Sequence, residues 1–180
     1  MKVVGLDLSL THTGYAILNE KGIVLMSGVT KSKSCGPKPT DEAQRIVKIA
    51  SDVMEKIDSF LPHHGDILFV IEGLAYMAQG ISLIQLSGLN YIVRSLLLEL
   101  EIPFLIVAPL SLKKFITGFG KGDKDMMMMS VYKNYGFESM DNNECDAYSL
   151  AVCGLAVLEK PIKKLGVPQK EVINLLKKQL

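Results

Sequence analysis

Three carboxylic acids in this sequence stand where a charged side chain is costly. Asp7 interrupts the apolar run Val3, Val4, Leu6, Leu8 and Leu10, which reads as a short strand buried on both faces. Glu72 ends a second apolar run, Ile67-Leu68-Phe69-Val70-Ile71, and Gly73 marks the strand end, where open α/β sheets receive ligands. Asp146 falls in the first turn of a predicted helix whose Ala147, Leu150, Ala151, Gly154, Leu155 and Leu158 form a narrow stripe able to lie close to a sheet. An unpaired buried carboxylate is unfavourable, and three in one pocket repel. Hard divalent ions resolve the conflict: magnesium prefers oxygen ligands, takes one or two carboxylates per ion and keeps positions for phosphate oxygens and water. Two such ions, about 3.5 to 4 Å apart, activate a water and stabilise the departing 3′ oxygen of an in-line phosphodiester displacement. Metal-dependent hydrolysis of nucleic acid is therefore the chemistry expected. A plainer role for Asp7, bonding the amides of the turn Ser9 to Gly14, stays open at this point.

Other chemistries find little support. His12, His63 and His64 sit in turns without a spaced Ser or Cys partner, and Cys35, Cys145 and Cys153 have no zinc-ligand spacing. No run of eighteen apolar residues is present, so no membrane span is expected. With the first strand starting at Lys2 there is no room for a processing segment, which suits a bacterial or bacteriophage-infected cytoplasm.

The elements that must position the acids follow from the pattern. After the first strand come strands over residues 15–18 and 23–29, giving an antiparallel meander. The segment Lys31 to Pro39, rich in lysine, glycine and proline, reads as a loop, solvated or touching phosphate. A helix capped by Thr40 is expected to run to Phe60 with Ala43, Ile46, Val47, Ala50, Val53, Met54 and Ile57 inward. Residues 81–100 form a helix apolar almost all round, covered either by another helix of this chain or by a second copy across a twofold seam. Pro103 to Val107 makes a fifth strand, and Pro109 stops it. Residues 118–125, Gly-Phe-Gly-Lys-Gly-Asp-Lys-Asp, lack the Lys-Ser/Thr of a nucleotide-binding loop. Lys113, Lys114, Lys121 and Lys124 around them suit a DNA or RNA backbone better than a mononucleotide, unless they form an ordinary solvated face. Asp141 or Asn142 can cap the Asp146 helix; Asn143 shares the side of Asp146, whereas Glu144 points elsewhere by about 200°. Residues 160–180 hold six lysines and one glutamate in a chain of net charge +1, and their short amphipathic helix is either DNA-facing or docked.

Taken in order, GLDLSLTHTGYAI, FVIEGLAYMA, KKFITGFGKGDK and NECDAYSLAV resemble the motifs of the RuvC family of Holliday junction resolvases, across about residues 1 to 158. The resemblance implies an α/β, ribonuclease H-like fold: a five-stranded mixed sheet, three antiparallel strands then parallel ones, flanked by helices. It divides the chain into a nuclease domain, 1–160, and a basic helical tail, 161–180. The family's acids fall on Asp7, Glu72 and Asp146, its junction-holding basic pair on Lys113 and Lys124, and its wedging aromatic on Tyr76 if one residue is inserted after Glu72. It further implies two magnesium ions per site, with manganese able to substitute, and a homodimer that nicks opposing strands of a four-way junction symmetrically. One departure stands out: where the family usually places Asp or His, three residues before its last acid, this chain has Asn143, so that Asp141 or Glu144 must compensate or metal affinity falls. Three alternatives remain: an RNA-processing nuclease of the same fold, a junction-binding protein without cleavage, and a sugar-kinase or actin-like ATPase, against which the lack of an internal repeat speaks.

Overall fold

The computed structural model describes residues 1–34, 36–60, 66–74, 80–120 and 123–180. Its strands are β1 (Lys2–Asp7), β2 (His12–Asn19), β3 (Val24–Lys31), β4 (Ile67–Glu72) and β5 (Phe104–Val107), in the sheet order β3-β2-β1-β4-β5. β1, β2 and β3 pair antiparallel, whereas β4 joins β1, and β5 joins β4, in parallel. The mixed sheet is thus the one the sequence predicts.

Strand alternation sorts the core into two layers. Val4, Leu6, Ile67, Phe69 and Ile71 face α1 (Pro39–Asp58) and α2 (Ile81–Glu99). Val3, Leu68 and Val70 face α5 (Asn142–Val157), with α3 (Pro109–Thr117) and α4 (Lys124–Tyr135) completing that layer. Odd positions of β1 and even positions of β4 therefore point to α5, and Asp7 and Glu72 continue those rows.

Several boundaries differ from expectation for identifiable reasons. β2 already begins at His12, because pairing with β3 extends to His12 opposite Lys31. Lys38, not Thr40, is the N-cap of α1: Pro39 occupies the first turn, and the Asp41 carboxylate accepts the Lys38 N–H at 3.1 Å. Its buried stripe is Ile46, Ile49, Ala50, Val53 and Ile57, so the face is rotated away from Ala43 and Val47, both exposed. Pro109 ends β5 but also opens α3, where its missing N–H costs nothing. The C-terminal helix α6 (Val167–Leu176) is docked, burying Val172, Ile173 and Leu176 in the α5 layer. Beyond it the Gln179 carboxamide accepts the Ile106 N–H at 2.9 Å and donates to the Ile106 carbonyl at 3.0 Å, standing in for a neighbouring strand on the outer edge of β5.

α2 is covered on one side only. Leu89, Asn90, Val93 and Leu97 are buried as it packs on α1 and the sheet, but Ile84, Tyr91 and Leu98 are each about two-thirds or more exposed. By length and composition the helix could cross a bilayer, with 22% of its apolar window buried.

Candidate active site

Parallel pairing of β1 with β4 reaches Leu6 opposite Ile71, so the next residues, Asp7 and Glu72, are cross-strand neighbours at the ends of their strands. Their side chains share a hydrogen bond. α5 crosses over them because the sheet beneath it lacks side chains at two points. A Cβ at Gly5 would lie 1.9 Å from the Ala147 carbonyl oxygen, and one at Gly14 would lie 2.0 Å from that of Asn143. Gly14 is also the β2 partner of Asp7. The first turns of α5 are thereby pressed onto the C-terminal end of β1, which sets the Asn143 backbone over Gly14 and brings Asp146, one turn on, within electrostatic reach of Asp7 and Glu72.

Electrostatics identify the cluster independently. Asp7 is only 7% exposed, and burial, followed by the charges of Glu72 and Asp146, pushes its carboxyl from 3.8 up to about 9. Glu72 is pushed up to about 7, first by burial and then by Asp146. Asp146 rises to about 6 through burial, opposed by Lys124 and Lys113. Burial raises all three carboxyls, and the negative charge of Asp146 raises Asp7 and Glu72 further. Hydrogen bonding between the two side chains acts upward on Asp7 and downward on Glu72.

The donor set fits a hard divalent cation. All three acids offer oxygen, burial pushes the carboxyl of each above its ordinary value, and the site lies at a strand end. Among the described residues, no three His, Cys, Asp or Glu side chains are drawn tightly enough to enclose an ion by themselves. Asp7 and Glu72 share a proton, while Asp146 acts on them through its charge. Closure around a cation requires displacement of that proton.

The other expected site residues divide clearly. Lys113 and Lys124, from α3 and the first turn of α4, both hold the acids down by their charge. Asp123 fixes the start of α4 by accepting the Met126 N–H at 2.8 Å. Lys114 turns the other way and pairs with Glu171 of α6 at 2.5 Å. Tyr76 and Lys121 lie outside the described residues, as do His63, His64 and Cys35. Asp141 is the N-cap of α5; its Oδ1 accepts both the backbone N–H of Asn143 at 2.8 Å and the Asn143 Nδ2 at 3.1 Å. Glu144 is directed away from the acids: Ser27 donates to one carboxylate oxygen at 2.7 Å and Ser139 to the other at 2.6 Å.

Sequence reasoning missed the two serines, whose partner lies 117 residues away for Ser27. It also missed Asn90, a buried amide on α2 that donates to the Glu72 carbonyl at 3.4 Å. The signal for Asn90 was available, a carboxamide in an otherwise apolar helix. Gly5 and Gly14 likewise stood inside strands, where glycine marks a close approach.

The mixed five-stranded sheet with helices on both faces, and an acid at the end of each of two adjoining parallel strands, is the layout of the ribonuclease H-like α/β fold. A family model described as crossover junction endodeoxyribonuclease RuvC matches residues 3–154, and the chain belongs to that family. The crossover junction endodeoxyribonuclease RuvC of Prochlorococcus marinus (strain NATL2A) is 25% identical over 162 residues, covering 86% of this chain and 98% of the relative. That of Bartonella tribocorum is 24% identical over 158 residues, 85% and 87% of the two chains. Among solved structures, Thermus thermophilus RuvC superposes with a TM-score of 0.69 at 20% identity, over 89% of this chain and 98% of that one. The fowlpox virus resolvase in complex with Holliday junction DNA gives 0.54 at 11% identity, over 88% and 99%. At such identities these two likenesses speak to the fold.

Proposed function

We propose that this chain is a divalent-metal-dependent endodeoxyribonuclease that resolves four-way DNA junctions by paired phosphodiester hydrolysis. The observation that carries the reading is the buried, mutually repelling cluster of Asp7, Glu72 and Asp146 with Lys113 and Lys124 acting on it. Membership of the RuvC family supports the substrate. Asp7, Glu72, Asp146 and Asn143 would hold the ions, two of magnesium per site with manganese as a substitute. Bound there, divalent ions supply an activated water and charge stabilisation at the departing 3′ oxygen. The chain's own residues do the rest. Asp7, buried on β1, and Glu72, half-buried at the end of β4, are two ligands fixed on rigid strands, and the close seat of α5 on Gly5 and Gly14 sets the third. Lys113 and Lys124 take the phosphates flanking the scissile bond, with Lys121 and Tyr76 assigned to the junction beside them. Lys114 contributes through its pairing with Glu171, as a strut between α3 and α6.

A four-way junction offers two symmetry-related strands, and one acid cluster cuts one of them. Paired nicks therefore need two copies, and the exposed Ile84, Tyr91 and Leu98 face of α2 supports a twofold homodimer seated there. The setting is the cytoplasm of a bacterial or bacteriophage-infected cell, with no membrane partner.

The test is to incubate the purified chain, its mass in solution measured by light scattering, with labelled four-way junction, linear duplex and structured RNA in magnesium or calcium. Paired symmetric nicks on the junction alone, with magnesium and from a dimer, are expected. Cleavage of RNA alone would replace this reading with that of an RNA-processing nuclease, and binding without cutting would reduce the chain to a junction-recognition protein.

A further inference from the structure

The family position three residues before the last acid carries a neutral amide here, and an amide ligates a cation only through its oxygen. Something must decide which arm of the Asn143 carboxamide faces the acids. Two nearby carboxylates could bear on this, and their hydrogen bonds separate them. Glu144 is spent: both its oxygens receive serine hydroxyls, from Ser27 on β3 and from Ser139 in the segment before α5. Asp141 is turned to Asn143, and one oxygen accepts both the backbone N–H and the side-chain Nδ2 of that residue. Capping a helix requires only the first of these bonds. The second holds the amide's donor arm on Asp141, so that Oδ1 is the arm Asp141 does not engage.

The geometry points to Asp141 as a positioning residue for the reaction, one that orients the Asn143 carboxamide so that Oδ1 becomes the neutral ligand on the helix side of the site. Asn143 is where such a ligand is needed. Its backbone carbonyl lies over Gly14, the cross-strand partner of Asp7, and Asp146 follows one turn later. Asp141 is itself held, its N–H donating to the Ser139 hydroxyl at 3.0 Å while that hydroxyl donates to Glu144. The arrangement resembles the carboxylate that fixes a metal-ligating histidine by accepting its distal N–H. It removes one negative charge from the site while keeping its geometry, with the carboxylate moved one step outward.

The inference rests on the metal-dependent nuclease reading above, and its test keeps the two apart. Magnesium affinity is read from the magnesium-induced rise in melting temperature of the full chain, together with the metal-free melting temperature, for wild type, Asp141→Gly, Asn143→Asp and the double variant. Glycine is tolerated at an N-cap, so Asp141→Gly should fold. We expect it to weaken magnesium binding roughly tenfold or more, as loss of an outer-shell partner does, with little change in the metal-free melting temperature. In the Asn143→Asp background the sign reverses: Asp141 then repels the new carboxylate, and removing it tightens binding. A lowered metal-free melting temperature with unchanged magnesium affinity would reduce Asp141 to a cap and overturn the inference, as would an effect of the same sign in both backgrounds. A wild-type chain that magnesium does not stabilise would overturn the nuclease reading instead.

Discussion

Replacing Asp7 with Asn should abolish cutting, and should at the same time make the metal-free protein more stable in alkaline solution. The Asp7 carboxyl ionises at 3.8 in an exposed chain, but burial and the charges of Glu72 and Asp146 lift it to about 9 in the fold. Between those two values the folded state holds a proton that the unfolded state has released. Stability is therefore greatest below pH 4 for this group and declines as pH rises towards 9, because the unfolded state binds fewer protons. Each tenfold is about 1.4 kcal/mol, so the full displacement sets a ceiling of several kcal/mol at pH 8. The site opens at a strand end where water screens it, and about 2 kcal/mol is the gain expected from removing the acid. For a chain of this size that corresponds to a rise in melting temperature of about 4 to 8 °C. Thermal unfolding of wild type and Asp7→Asn in chelator, at pH 4.5 and pH 8, reads it directly. The variant should melt higher at pH 8 and nearly level with wild type at pH 4.5, and magnesium at pH 8 should raise wild type far more than the variant. A variant less stable at pH 8, or displaced equally at both pH values, would refute the reasoning, since the strain would then not be one of charge.

Gly14→Ala should lift the first turn of α5, because its Cβ would lie 2.0 Å from the Asn143 carbonyl oxygen; a loss of about 1 to 3 kcal/mol in denaturant titration, with cleavage reduced more than junction binding, is expected. Lys113→Ala and Lys124→Ala should each weaken junction binding and lower the slope of log affinity against log salt by about one. Truncation before Pro161 strips α6 from the core and uncovers the β5 edge that Gln179 caps, so size-exclusion chromatography should find a less stable, self-associating chain.

Much of this was legible in the sequence because apolar runs ending in acids are rare and each pointed to a strand end. Asp7, Glu72 and Asp146 could be named from the apolar runs they interrupt, and the mixed sheet, three antiparallel strands then parallel ones, followed from the motifs they sit in. The two-sided burial of β1 and β4 was legible too, since both runs are continuous rather than alternating. What stayed hidden depends on side chains meeting across long separations. Lys114 stands beside Lys113 in sequence, but on a helix neighbouring residues point about 100° apart, and one turns to the acids while the other meets Glu171. The basic tail suggested a DNA-facing appendage equally with a docked one, because which of its apolar residues are buried, here Val172, Ile173 and Leu176, is decided only once a groove is known. Thr40 looked a better cap than Lys38 by residue type, but Pro39 fixes the first helical position and overrides that preference.

The acids are kept together, partly protonated, for a cation that displaces a proton from them. Calorimetric titration of magnesium into the protein at pH 7.5, in buffers of different ionisation enthalpy, measures that displacement. Release of about one proton per site is expected, and its loss in Asp7→Asn. Binding heats that do not depend on the buffer, or no binding at all, would contradict it.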